Sequence, residues 1–191
     1  MIQMSENIFI EDIEIEYSII RRKIKNPRME FKTGRLVLIL PNNYKNHKKL
    51  IEKHKNWIYN KLDVVEKSKN CYLNINRSKN ELRAEIHHLV EFYSSSMQLT
   101  PGNISFRQMK KRWGSCDSEG NLKFNTRLRY LPEDLIDYVV FHELAHLLEF
   151  AHNRDFWQII RLKFPDYKKK DQELSIYWFA IMEKTNNFQD P

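Results

Sequence analysis

The chain has 191 residues, of which 41% are hydrophobic, 13% aromatic and 30% charged. That composition excludes disorder and collagen-like repeats, and the length allows a sizeable core in one domain or one domain with an appendage. Two cysteines, Cys71 and Cys116, exclude a disulfide framework and a Cys-x-x-Cys zinc or redox site. Charge is uneven. Residues 1–130 hold 25 Lys/Arg against 14 Asp/Glu, a net +11, and residues 131–191 hold 7 against 11, a net −4. A basic front half would suit nucleic acid or a nucleotide; solvated surface lysine is the plainer reading. No apolar run approaches a membrane span, and Met1–Glu6 shows no basic region leading into an apolar block. The expectation is a soluble, cytoplasmic protein.

Residues 8–40 read as strands. Ile13, Ile15, Tyr17 and Ile19 alternate with Glu14, Glu16 and Ser18, the period of a half-buried strand. Asn26-Pro27 and Thr33-Gly34 are turn signals, and Leu36–Leu40 is a buried run ended by Pro41. Residues 1–41 therefore predict a small antiparallel sheet. Residues 44–68 carry apolar positions at helical spacing, from Leu50 to Val65. Ser78-Lys79-Asn80-Glu81 is a capping box opening a second helix, which Pro101-Gly102 closes.

Residues 103–109 and 121–126 alternate again, as a hairpin or as two neighbouring strands, around the polar turn 117–121. Pro132 is placed at a first helical position, with Glu133 and Asp134 behind it, and the helix is expected to reach about Leu148. Asn153 caps a further helix that stops at Phe164 before Pro165, and a last one covers roughly 168–184. The fold class is α+β. Three segments are expected: a β-rich start over 1–41, a helical stretch over 42–99 and a catalytic region over 100–191, packed as one domain.

The chemistry lies in residues 142–152, His-Glu-Leu-Ala-His-Leu-Leu-Glu-Phe-Ala-His. His142 and His146 are four apart, about 40° past one full helical turn, so both imidazoles share a face and can share an ion. Glu143 can reach a water on that ion: the H-E-x-x-H arrangement. His152, six residues on, would face away on an unbroken helix, so the helix must break for it to return. The Asn153 cap supplies such a break. His152 is therefore preferred to Glu149 as third ligand. Three protein ligands and a carboxylate favour catalysis over a closed structural site, which takes four. The expected reaction is hydrolysis by a metal-activated water with Glu143 as general base.

Beyond this stretch the chain contains Arg112-Trp113-Gly114-Ser115-Cys116, Gly120–Asn125, Leu131-Pro132, Asp137–His146, and His152 followed by Phe156-Trp157. This order resembles the YgjP-like, SprT-related zinc metallopeptidases over about residues 100–170. The resemblance implies a zincin-like core, an active-site helix beside a small antiparallel sheet, with one Zn²⁺ on His142, His146 and His152 and Glu143 as catalytic base. It implies a peptide or protein substrate. SprT relatives act on proteins attached to DNA, a setting the basic front half would suit. Two alternatives stay open: a metal-dependent nucleoside triphosphate pyrophosphatase, and a non-catalytic zinc-stabilised nucleic-acid-binding module. Gly114 is expected to permit a close backbone approach, Trp113 to pack in the core, and Cys116 to be a buried thiol. Substrate-binding residues, oxyanion donor and oligomeric state are not legible.

Overall fold

Ile15, Tyr17 and Ile19 bury one face of a strand, and Leu36, Leu38 and Leu40 bury the same face of its neighbour. In the computed structural model, which describes residues 4–11, 13–32 and 34–185, these belong to β2 (Ile13–Arg22) and β4 (Arg35–Pro41). With β1 (Met4–Ile10) and β3 (Arg28–Lys32) they form a four-stranded sheet in the order β1-β2-β4-β3. Met1–Gln3 of the N-terminal stretch and Thr33 of the Thr33-Gly34 turn lie outside the described residues; Gly34 has φ +77°.

The sheet is mixed, which corrects the antiparallel expectation: β2 and β4 pair parallel, Ile19 opposite Leu38. The physical reason lies in β4. Residues 36–40 are all buried, so this strand takes a central place with both faces covered. The half-exposed β3 is left on the edge beyond it, antiparallel to β4. Ile51 and Ile58 join the sheet's core from α1 (His47–Lys53) and α2 (Lys55–Lys69). These replace the single helix expected over 44–68. His54 leaves helical geometry at φ −115°, and its N–H turns back to the Ile51 carbonyl at 2.9 Å. No glycine or proline marks the break.

Contacts divide the chain into two units: one runs to Cys71 and takes in the chain from Trp178, and the other is Tyr72–Tyr177. These limits differ from the three segments read along the sequence. The second unit opens with α3 (Lys79–Met97), whose capping box is present: Glu81 N–H donates to Ser78 Oγ, and Ser78 N–H to Glu81 Oε2. A three-stranded sheet follows, β5 (Ile104–Arg107), β6 (Gly114–Cys116) and β7 (Leu122–Asn125), in the order β5-β7-β6. β5 and β7 are the two neighbouring strands expected, and they run parallel. The polar turn 117–121 joins β6 to β7 as an antiparallel hairpin, with Asp117 Oδ1 accepting from Glu119 and Asn121 N–H. This sheet too is mixed rather than antiparallel. β7 takes the centre because it is the buried strand of the three, with Leu122, Phe124 and Asn125 inside.

Next comes α4 (Glu133–Ala145), capped by Pro132, one residue outside the helix rather than inside it. Its residues are buried almost all round, including Leu135, Ile136, Tyr138–Phe141 and Leu144, so it is the central helix of this unit. It packs against α3, β6 and α5 (Arg154–Lys163). The expected layout of a helix beside a small sheet is met here. A last helix, α6 (Tyr167–Thr185), begins in this unit and passes the Tyr177–Trp178 boundary. Among the described residues no helix is long and apolar enough to cross a membrane.

Candidate metal centre and cleft

His142 and Glu143 lie on the last turn of α4, and His146 caps its C-terminus. The helix ends at Ala145, short of the expected Leu148. Turn hydrogen bonds from Leu147, Leu148 and Glu149 to Leu144 and Ala145 carry the chain once more around before it bends. Asn153 then caps α5, its Oδ1 accepting from Asp155 N–H at 3.0 Å and Phe156 N–H at 3.1 Å. His152 precedes this cap, and the break between the two helices brings it back. Its Nε2 is 3.0 Å from Nε2 of His142. Ligand atoms of His142, His146 and His152 all lie within 4.8 Å of one another.

Each ring is held from behind. Phe156, fully buried, stacks on His146 at 4.5 Å between centroids and meets His142 and His152 edge-on at 4.9 and 4.6 Å. Trp157 stacks on His152, and its Nε1–H donates to the His152 carbonyl at 3.1 Å. His146 Nδ1 lies 3.2 Å from the Glu149 carbonyl, which can only accept. The proton is therefore on Nδ1 and Nε2 keeps its lone pair. Burial, with two neighbouring imidazoles, pushes His142 down to about 3; burial likewise lowers His146. His142 and His146 are thereby held neutral, the form that ligates. Glu149, the rival ligand, instead turns its Oε1 to Ala151 N–H at 3.3 Å.

Glu143 is only 7% exposed. Burial pushes its carboxyl up to about 8, against the Arg112 charge and a hydrogen bond from the Cys116 backbone N–H, which both pull it down. Gly114 explains how β6 comes so close: a Cβ there would lie 2.6 Å from Glu143 Cγ and Oε1. The expected close approach is real, and its partner is the Glu143 side chain. Cys116 is half-buried, and its thiol is pushed up to about 11 by burial, then by Glu143 and Asp117. Trp113 is half-buried and lines a cleft instead of lying wholly in the core.

That cleft, of about 550 Å³, is bordered by residues 112–116 on one side and by Tyr138, Asp171 and Leu174 elsewhere, with the three histidines and Glu143 inside it. Tyr138 O–H donates to Asp171 Oδ1 at 2.8 Å. Tyr138 and Asp171 are cleft residues that sequence reasoning did not pick out. Asp171 carried no signal: it is one acid in a helix rich in charge. Arg112 had one, its place at the head of the Arg-Trp-Gly-Ser-Cys run.

An H-E-x-x-H helix beside a small sheet in an α+β fold, with three converging imidazoles, marks a metal-dependent hydrolase of the metallopeptidase type. Residues 73–177, more than half of the chain, match the YgjP-like, metallopeptidase domain family, and the chain belongs to it. Two solved structures are similar over 48% of this chain. One is the metallopeptidase zymogen abylysin of Pyrococcus abyssi, at 23% identity over 90% of that chain. The other is the zymogen jannalysin of Methanocaldococcus jannaschii, at 25% identity over 87% of that chain; the TM-score is 0.42 for each. Comparison with curated proteins gave no match.

Proposed function

We propose that this protein is a cytoplasmic zinc-dependent metallopeptidase, with His142, His146 and His152 as the ligands and Glu143 as the general base. The convergence of the three histidines carries the reading. Tetrahedral zinc with imidazole ligands sets nitrogens about 3.3 Å apart, and His142 and His152 already stand at 3.0 Å. The donor set suits zinc, being all imidazole. Phe156 closes the apolar side, and the cleft leaves the other side open to substrate. The paucity of cysteine fits a reducing compartment.

Zinc, when bound, supplies a Lewis acid for the scissile carbonyl and makes water acidic near neutrality. The rest is the work of this chain. Glu143 is adjacent to His142 and faces β6, where Gly114 leaves room for its carboxylate. Cys116 N–H holds one orientation of that carboxylate and favours its charged form. Burial raises its proton affinity, so it can accept a proton from the attacking water and return it to the leaving amine. Trp157 and Phe156 fix the His152 ring, and the Glu149 carbonyl fixes the tautomer of His146.

The test pairs metal content with turnover. Glu143→Gln should keep about one zinc per chain and lose peptide cleavage by roughly 10²-fold or more. Full activity in this variant sinks the assignment of the base. Phosphate or pyrophosphate release from nucleoside triphosphates, with no peptide cleaved by the zinc-loaded protein, would replace the peptidase reading with the nucleotide one.

A further inference from the structure

Three consecutive cations, Lys110-Lys111-Arg112, stand exposed, and the last of them borders the cleft. They do not form a loose loop. Asn125, fully buried at the end of β7, donates through Nδ2 to the carbonyls of Met109 at 3.0 Å and Arg112 at 2.8 Å. Its backbone N–H donates to the Trp113 carbonyl at 2.8 Å. The Met109 side chain, 5% exposed, anchors the same end. One buried amide thus clamps both ends of a three-residue basic tip. Arg112 lines the cleft, and its charge reaches Glu143. Among the described residues none of the three cations has an ion-pair partner. Of the carboxyls lining the cleft, Asp171 is engaged by Tyr138.

An exposed guanidinium on a fixed backbone, with no salt-bridge partner, is a ready receptor for an anion. The backbone share of the ordering cost is met in folding rather than on binding. A guanidinium matches a carboxylate with two parallel hydrogen bonds. The tip is short, and Glu143 and Asp171 lie in the same cleft. A polyphosphate strand, with its row of charges, needs a row of cations along its path, whereas one side-chain carboxylate needs one. We propose that the clamped Lys110-Lys111-Arg112 tip is a specificity element that directs the cleft to acidic peptide segments, with Arg112 taking a substrate carboxylate near the scissile bond. This rests on the peptidase reading.

Three fluorescent peptides identical except for Glu, Gln or Lys at the positions flanking one bond would test it. Their binding is measured by anisotropy on zinc-loaded Glu143→Gln protein, and their cleavage on zinc-loaded wild type. The Glu peptide should bind about ten-fold more tightly than the Lys peptide, the range of one charged hydrogen-bonded pair. Adding Arg112→Glu should reverse that order, and Arg112→Lys should keep it with a smaller ratio. Equal binding of the three peptides, no binding of any, or an order unchanged by Arg112→Glu overturns the inference, even if cleavage proceeds. A single-stranded oligonucleotide that displaces the Glu peptide at sub-equimolar concentration also overturns it, in favour of nucleic acid. If the charge order holds but wild type cleaves none of the peptides, the peptidase reading falls and the acidic-segment site stands.

Discussion

Gly114 and Glu143 are 29 positions apart in the chain, and yet one dictates the other. With no room for a Cβ against Glu143 Cγ and Oε1, Gly114→Ala must push the carboxylate off the Cys116 N–H. We expect peptide cleavage to fall by about 10²-fold, the scale of a lost general base, while zinc content is unchanged by metal analysis. The close approach was legible in the Arg-Trp-Gly-Ser-Cys run; its partner was not, because a sequence shows that a glycine lacks a side chain and not what occupies the vacated space. Cys116 gives the opposite expectation. Its thiol sits beside Glu143 with its ionisation pushed up to about 11, so it stays protonated at neutral pH. Iodoacetamide should label it slowly at pH 7.5, and Cys116→Ala should keep cleavage within about two-fold. Only its backbone N–H serves Glu143, and that survives the change.

Helix ends decide the candidate metal centre at the scale of elements. Spacing alone puts His142 and His146 on one face, since both belong to the same run of helical backbone. His152 needs the chain to bend, and Asn153 starts the next helix in the right place. Asn153→Ala removes two hydrogen bonds at that start. We expect a stability loss of about 1 kcal/mol by thermal or urea melting, and of only a few tenths for Asn153→Gly. Zinc affinity in a chelator competition should fall by about ten-fold for Asn153→Ala, as for other groups that hold a ligand rather than bind the metal. The break before His152 has no glycine to announce it. Glu149 fills that place, giving its carbonyl to His146 and its carboxylate to Ala151 N–H. Strand direction was less legible still. Alternation marks which face is wet and is the same for parallel and antiparallel neighbours, so both sheets came out mixed.

For the molecule as a whole, all three imidazoles and Glu143 fall within the Tyr72–Tyr177 unit. Metal bound there stabilises the folded state by mass action, about 2.7 kcal/mol when free zinc is a hundred times its Kd. Calorimetry should therefore show a melting temperature that rises with zinc and falls with chelator. Glu143→Gln should keep that shift, and His152→Ala should lose most of it; equal shifts in His152→Ala and wild type would remove His152 from the ligand set.

What the amino-acid sequence determined by itself was local. It includes the helical run that sets His142, Glu143 and His146 one turn apart, the caps at Ser78 and Asn153, and the alternation that makes the chain α+β. Each depends on residues within a turn or two of one another, whose geometry the backbone dictates. Tertiary structure alone decided which strands neighbour β4 and β7, where the chain divides into two units, and that Asp171 borders the histidines' cleft. Those outcomes depend on which buried surfaces meet across long loops, and no spacing along the chain records the partner.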